Sequence, residues 1–151
     1  MAIRKIRISG DPILTKKTKK VEEFRERLAQ LLDDMQETMK ENNGIGIAGP
    51  QVGVLRSVVV ILNDDCICEL VNPEIVESSG EQEITEGCLS FPGQYGITRR
   101  PMKVKILAQD RNGKEFTLEA EKLAAAAICH EIDHLSGILF KSRVIKMIDK
   151  N

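Results

Sequence analysis

Residues 121–137 read EKLAAAAICHEIDHLSG, and this segment constrains how the rest of the chain can be arranged. Its alanine run favours a helix that ends near Gly137, a residue type common at helix C-termini. The chain has two histidines, and both lie here, as His130 and His134. A helix has about 3.6 residues per turn, so a spacing of four places both imidazoles on one face, where they can bind one metal ion. Glu131 lies between them and can act on a metal-bound water, so the segment predicts a metal centre.

A third ligand for this metal is expected upstream of the helix. A catalytic metal site commonly has three protein ligands and one position open to water. The residues after His134 contain no histidine and no glutamate, and Asp149 is their single aspartate. The alternative interpretation is a half-exposed helix with two surface histidines at ion-pair spacing and no metal.

Composition excludes several classes of protein. The chain has 151 residues with 22 basic and 23 acidic side chains, and its net charge of −1 gives no electrostatic basis for binding nucleic acid. Aromatic residues make up 3% of the chain, too few for base-stacking surfaces. The longest apolar run, residues 58–62, is far shorter than the roughly 20 residues that cross a bilayer. We therefore expect one cytoplasmic domain over residues 1–151, with reduced cysteines and no membrane contact.

Hydrophobic spacing predicts the elements that precede the motif. After an extended arm over residues 1–20, apolar residues recur at steps of three and four from Val21 to Met39. This pattern predicts a long N-terminal amphipathic helix, ended by Asn42-Asn43-Gly44. Strands are predicted at 54–62 and 66–71, the second one ended by Asn72-Pro73.

The second half of the chain indicates the fold class. Asn112-Gly113 predicts a hairpin between strands at 103–109 and 114–120, and the last dozen residues are expected to form a strand and a short helix. The predicted class is α+β: one domain in which antiparallel strands surround the helix that carries His130 and His134.

Two upstream segments are candidates for the rest of the site. Residues 44–53, GIGIAGPQVG, are glycine-rich but lack the Lys-Ser/Thr pair of a phosphate-binding loop. Residues 86–90, EGCLS, place Cys88 between small and turn-forming residues that can expose its sulfur. A lone cysteine is more often a buried apolar residue, so this segment alone does not decide the third ligand.

The three segments together resemble the peptide deformylase family. Its members are metal hydrolases that remove the N-formyl group from the initiator methionine of new bacterial and organellar proteins, releasing formate. The family pattern is a Gly-rich segment ending in Gln, then Glu-Gly-Cys-Leu-Ser, then His-Glu-x-x-His on a helix. All three occur here in that order, and the resemblance covers nearly the whole chain.

The resemblance implies a role for each residue of the motifs. Cys88, His130 and His134 become the metal ligands, and Glu131 becomes the general acid and base. The implied metal is one Fe²⁺ per chain, for which Ni²⁺, Co²⁺ or Zn²⁺ can substitute. Gln51 and the backbone N–H of Leu89 become the donors that stabilise the oxyanion, as a tetrahedral intermediate requires.

The resemblance also implies how substrate binds. An N-formyl-methionyl peptide would lie extended between the Ile45-Gly46 edge and the segment from Gly87 to Leu89. The methionine pocket would be lined by Ile45, Ala126, Ala127 and Ile128, although plain packing explains the two alanines almost as well. The implied setting is the bacterial cytoplasm, where the chain is expected to be a monomer that acts on nascent chains and contacts the ribosome.

Some positions depart from the family pattern or have more than one interpretation. Gly49 stands where the family usually has Ala, and it is expected to loosen the loop that holds Gln51. Cys129 stands where the family often has Gln, and it is interpreted as packing. Cys66 and Cys68 share a strand face, where they could bind zinc with Cys129 but are expected to pack.

The acidic residues Glu86 and Asp133 also have two interpretations. They could orient the histidines, or they could be surface charges or pair with Arg99 or Arg100.

Two other functions remain open at this stage. The His-Glu-x-x-His helix alone also fits a zinc endopeptidase that cleaves internal peptide bonds. The departures at Gly49 and Cys129 would also fit a catalytically inactive metal-binding or structural domain. The presence of every chemical residue of the family pattern counts against the second alternative.

Overall fold

The computed structural model describes residues 2–148, which form two α-helices and eight β-strands. Strand pairings within both sheets are antiparallel, so the predicted α+β class is confirmed. Short 3-10 helices lie at Pro12–Thr15, Gly49–Val52 and Phe140–Ser142. The helices are α1 (Glu26–Glu41) and α2 (Lys122–Leu135), and the strands are β1 (Gly46–Ala48), β2 (Val58–Asn63), β3 (Cys66–Ser79), β4 (Gln82–Cys88), β5 (Phe91–Arg100), β6 (Lys103–Gln109), β7 (Glu115–Glu121) and β8 (Val144–Ile148).

The strands form two sheets, and one of them lies between the two helices. The five-stranded sheet has the order β1-β2-β3-β6-β7, and the three-stranded sheet has the order β4-β5-β8. In β2, Val58 and Val60 pack in a cluster with α1, while Val59 and Ile61 pack in a cluster with α2. Successive side chains of a strand point to opposite faces, so a strand covered on both faces is apolar throughout.

The predicted start of the first helix at Val21 is wrong, because α1 begins at Glu26. The Asn72 side chain accepts a hydrogen bond from the Val21 N–H at 2.8 Å and donates one to the Val21 carbonyl at 3.0 Å. Val21 and Phe24 still pack with the helix against the core. Their spacing therefore reflects tertiary packing of an extended segment rather than a helical turn.

The predicted break at Asn72-Pro73 is also wrong, because β3 runs through it to Ser79. Asn72 adopts a φ of 52°, and the pairing with β6 shifts register between Val71 and Glu74. A bulge thus absorbs both residues without ending the strand. The first predicted strand begins later than expected, at Val58 rather than at Val54.

The other predictions have mixed outcomes. The hairpin of β6 and β7 is confirmed, and so is a strand near the C-terminus, β8. The predicted tail helix falls partly on residues 149–151, which lie outside the described residues. Strands β4 and β5 were not predicted, because glycines and Pro92 interrupt their sequence pattern. No helix within residues 2–148 is both long and apolar enough to span a membrane.

Candidate active site

Side chains from strand β4 and helix α2 lie close together and form a candidate metal centre. Helix α2 carries His130 and His134 on one face, and Cys88 ends β4 at the turn into β5. One ligand atom from each lies within 4.8 Å of the other two, and Cys88 Sγ is 3.4 Å from His134 Nε2. Tetrahedral bonds of about 2.0–2.3 Å space the ligand atoms by roughly 3.3–3.8 Å, so the thiol and two imidazoles suit one divalent ion.

His130 is oriented by a buried carboxylate. Its Nδ1 lies 2.8 Å from Glu86 Oε1, which leaves Nε2 for a metal. Arg100 donates two hydrogen bonds to Glu86, of 2.7 and 2.9 Å, and the Thr98 hydroxyl donates a third. Burial alone would raise the pKa of Glu86, but the hydrogen bonds with His130, Arg100 and Thr98, together with the charge of Arg100, lower it to about 2. Glu86 is therefore ionised and holds the imidazole in place.

Arg100 also connects this carboxylate to helix α2. Its guanidinium donates a hydrogen bond to Asp133 at 2.8 Å, and Arg143 pairs with the same carboxylate from the surface. The sequence left open whether Arg99 or Arg100 pairs with the acidic residues near the motif. Arg100 does so, whereas Arg99 faces Glu83 on the exposed side of the hairpin. A strand with an alternating pattern would have pointed to Arg100, but β5 was not predicted.

The pKa values of the two histidines are shifted in opposite directions. Burial would lower the pKa of His130, but the charge of Glu131 and the contacts with Cys88 and Glu86 raise it well above its usual value. Burial and the charge of His130 lower the pKa of His134 to about 3. His134 Nδ1 is buried and has no hydrogen-bond partner among residues 2–148.

Glu131 is a buried carboxylate beside the three candidate metal ligands. Burial raises its pKa to about 7, against the opposing charge of His130. Its Oε1 has no hydrogen-bond partner within the described part of the chain. Its Oε2 lies against Gly46, where a Cβ atom would be only 2.8 Å away. An unpartnered carboxylate at a cleft wall can hold a proton and release it.

Gln51 extends from the 3-10 helix at Gly49–Val52 to the candidate metal centre, the group formed by Cys88, His130 and His134. Its Oε1 accepts a hydrogen bond from the Ala48 N–H at 2.9 Å, and its Nε2 lies 3.6 Å from Cys88 Sγ. The looseness expected at Gly49 stays a prediction, but the backbone packs closely around this position. A Cβ there would lie 2.6 Å from the Arg56 carbonyl and 2.8 Å from the Val54 carbonyl, so this loop is closely packed.

A cavity of about 550 Å³ opens onto the centre. Most residues expected to bind substrate line it: Ile45, Gly46, Gly87, Leu89, Ala126 and Ala127. Ile128 does not, because it points from α2 into the core against the five-stranded sheet. Leu123 also lines the cavity, although it was not predicted from the sequence. Its spacing of four from Ala127 on the same helix face was the available signal.

The remaining cysteines do not form a second metal site. Among residues 2–148, the one group of three or more potential ligands this close together is Cys88, His130 and His134. All four cysteines are free thiols, and Cys68 and Cys129 belong to the core between α2 and the sheet. Burial raises the pKa of Cys129 to about 11. The zinc alternative for Cys66, Cys68 and Cys129 is therefore wrong.

Known proteins are similar to this chain in both sequence and fold. The sequence profile described as polypeptide deformylase matches residues 3–150. The chain belongs to the polypeptide deformylase family. A peptide deformylase of Caldicellulosiruptor bescii is 57% identical, with 99% of this chain and 90% of that protein covered.

Solved deformylase structures superpose on nearly the whole chain. That of Thermotoga maritima gives a TM-score of 0.93 at 36% identity, covering 95% of this chain and 99% of that one. The actinonin-bound enzyme of Acinetobacter baumannii gives 0.90 at 34% identity, covering 95% and 99%. As a deformylase, the chain is a metal-dependent hydrolase that removes the N-formyl group from nascent peptides. This activity acts on the terminal formyl amide rather than on internal peptide bonds.

Proposed function

We propose that Cys88, His130 and His134 hold a single Fe²⁺ and that Glu131 is the general acid and base of deformylation. The observation that carries this proposal is Glu131 Oε1, which has no hydrogen-bond partner within residues 2–148 and belongs to a side chain beside three potential ligand atoms within 4.8 Å of one another. When bound, the ion lowers the pKa of water and polarises the formyl carbonyl. Glu86 holds His130, so the ligand geometry exists before substrate arrives.

The protein residues then handle one proton and one developing charge. Glu131 accepts a proton as water oxygen attacks the formyl carbon. Gln51 Nε2 and the Leu89 N–H donate to the formyl oxygen as it becomes negative. Glu131 then gives the proton to the departing nitrogen as the C–N bond breaks. The products are formate and a peptide with a free N-terminus, so the atoms of water and amide are all accounted for.

The two sheets present free edges on which a peptide can lie. Strand β1 is an edge of the five-stranded sheet, and β4 is an edge of the three-stranded sheet. Gly46 and Gly87 on these edges both line the cavity. An extended formyl peptide can pair with such edges. Its methionine side chain would enter the cavity beside Ile45, Leu123 and Ala127.

Replacing Glu131 tests the catalytic assignment. We expect Glu131→Ala to lower the rate of formate release by on the order of 10²–10⁴, because the proton acceptor is lost. Metal content, measured on the same protein, should stay at one ion per chain, because Glu131 is not a ligand. Glu81→Ala, at an exposed position, is the matched control and should keep full activity. A fully active Glu131→Ala enzyme would show that the assignment is wrong.

Elemental analysis of protein purified without oxygen tests the metal. We expect one iron per chain, activity that is lost in air as iron or the thiolate oxidises, and restoration by Ni²⁺. Co²⁺ and Zn²⁺ are the other substitutes expected to occupy the same ligands. Zinc in the anaerobic protein, or air-stable activity with iron, would contradict the iron assignment.

We further infer that residues 1–151 form one catalytic domain, acting as a cytoplasmic monomer on chains that emerge from the ribosome. The family profile spans residues 3–150, which supports a single domain. Nascent formylated chains are made in the bacterial cytoplasm, which supports the location. Light scattering measures the oligomeric state, and co-sedimentation with ribosomes at rising salt concentration tests the contact.

A further inference from the structure

The amide orientation of Gln51 is determined by its neighbours. The backbone N–H of Ala48 can only donate, so the atom 2.9 Å from it must be the Gln51 oxygen. The Nε2 group, with two hydrogens, therefore faces the other way, towards the centre. One hydrogen must be directed to substrate if Gln51 is to stabilise the oxyanion. The second hydrogen needs a separate acceptor.

Ser90 supplies an acceptor for that second hydrogen. Its Oγ lies 3.2 Å from Gln51 Nε2, and both side chains are buried. Ser90 follows Cys88 by two residues and lies in the turn between β4 and β5. The serine therefore joins the turn that presents the thiol to the loop that presents the amide.

The N-terminal arm connects the same two residues through the backbone. The Arg7 N–H donates to the Gln51 carbonyl at 2.7 Å, and the Ser9 N–H donates to the Ser90 carbonyl at 2.8 Å. Two residues of one extended segment thus bind both partners of the side-chain contact. Their separation is set by the arm as well as by the hydrogen bond between them.

We propose that Ser90 is a positioning residue for deformylation. Its hydroxyl oxygen accepts one N–H of Gln51. The other N–H, on the side of Cys88 Sγ at 3.6 Å from Nε2, is then available to the formyl oxygen when substrate binds. This inference rests on the proposed role of Gln51 as an oxyanion donor. Without the hydroxyl, the hydrogen bond from the Ala48 N–H still restrains the Gln51 amide. Because the terminal torsion of the amide is soft, Nε2 then spends less time in the productive orientation.

A double-mutant cycle between the two residues tests the proposal. We expect Ser90→Ala to lower kcat by about 5- to 50-fold, with KM changed less than about threefold and the metal content unchanged. Gln51→Ala should lower kcat at least as much. In the Gln51→Ala background, Ser90→Ala should have no further effect, because the group that it positions is gone. Ser90→Gly, which also lacks the hydroxyl, replaces Ser90→Ala in the cycle if that variant does not fold.

The outcomes distinguish the proposed role of Gln51 from that of Ser90. Unchanged activity in Gln51→Ala would contradict the proposed role of Gln51 itself. A loss in Gln51→Ala that is multiplied by Ser90→Ala, or full activity in Ser90→Ala alone, would overturn the role of Ser90. Loss of metal from Ser90→Ala would also overturn it, since the serine would then act on the Cys88 ligand instead of on the amide.

Discussion

At the scale of single residues, Gly46 shows how closely the side chains around Glu131 are packed. A Cβ atom at this position would lie 2.8 Å from Glu131 Oε2 and 2.9 Å from Ile61 Cδ1. A Cβ atom does not approach other heavy atoms this closely, so the absence of a side chain at Gly46 makes space for the carboxylate. The sequence shows that this segment is glycine-rich. The structure explains why Gly46 in particular has no side chain, because Glu131 of α2 packs against it.

We expect Gly46→Ala to lower kcat by about 10²-fold, because the methyl group must displace the Glu131 carboxylate by a few tenths of an ångström or more. Metal content should not change, because the atoms nearest to the added methyl group belong to Glu131 and Ile61 rather than to Cys88, His130 or His134. Steady-state formate release and metal analysis measure both quantities. Adding Ile61→Val removes the other close contact and should not restore the rate. Recovery in that double variant would place the crowding at Ile61.

At the scale of elements, α1 holds the N-terminal arm through polar side chains. Asp34 accepts hydrogen bonds from the Ala2 N–H at 2.8 Å and from Arg4 Nε at 2.9 Å. Thr38, one helical turn later, accepts the Arg4 N–H at 2.8 Å. Both α1 side chains are buried. They interrupt the apolar face of the helix because the arm brings them backbone donors.

The Asp34 contact predicts a dependence of stability on pH. Burial would raise the pKa of Asp34, but hydrogen bonds from Ala2, Gln30 and Arg4 lower it below its ordinary value. A carboxyl with a lowered folded-state pKa contributes stability above its unfolded pKa of about 3.9 and loses it as the pH falls through the folded value. We expect the wild type to exceed Asp34→Asn in free energy of unfolding by about 1–2 kcal/mol at pH 7.

Urea unfolding at pH 7, 5, 4 and 3 measures this difference. It should stay constant between pH 7 and 5 and shrink at lower pH as Asp34 becomes protonated. Asp65→Asn, at an exposed position in the turn after β2, is the control and should match the wild type. A difference that grows as the pH falls would contradict the sign of the pKa shift.

At the scale of the whole molecule, the centre joins parts that are far apart in sequence. Cys88 comes from the three-stranded sheet, whereas His130 and His134 come from the helix that packs on the five-stranded sheet. Arg100 on β5 crosses the same boundary to Asp133 on α2, and it also pairs with Glu86 on the adjacent strand β4. A metal ion bound by Cys88, His130 and His134 would connect the three-stranded sheet to helix α2, so its binding free energy would add to folding stability.

We therefore expect a chelator to lower the melting temperature. A ligand at about 100 times its Kd stabilises a protein by about 2.7 kcal/mol, which is a shift on the order of 5–10 °C for a chain of this size. Thermal unfolding with and without chelator measures the shift. Cys88→Ala, which lacks one ligand, is the control and should respond much less. An equal shift in that variant would place the stabilising ion elsewhere.

Some of this protein could be predicted from the sequence because the rule involved was local. Helical periodicity alone places His130 and His134 on one face, and Asn112-Gly113 alone predicts the hairpin. In each case the residues that determine the structure are close neighbours along the chain, and their geometry depends on standard backbone dihedral angles. The resemblance in three short segments then added roles for Cys88 and Gln51, without their contacts.

Tertiary structure decided whatever depended on a partner distant in sequence. Val21 lies outside the helix because Asn72 binds its backbone, and Ile128 faces the core because the five-stranded sheet covers that side of α2. The hydrogen bond between Gln51 and Ser90 joins residues 39 positions apart. Hydrophobic spacing records that a position is buried but not which element buries it. A polar side chain likewise shows its partner only when the folded chain brings the two together.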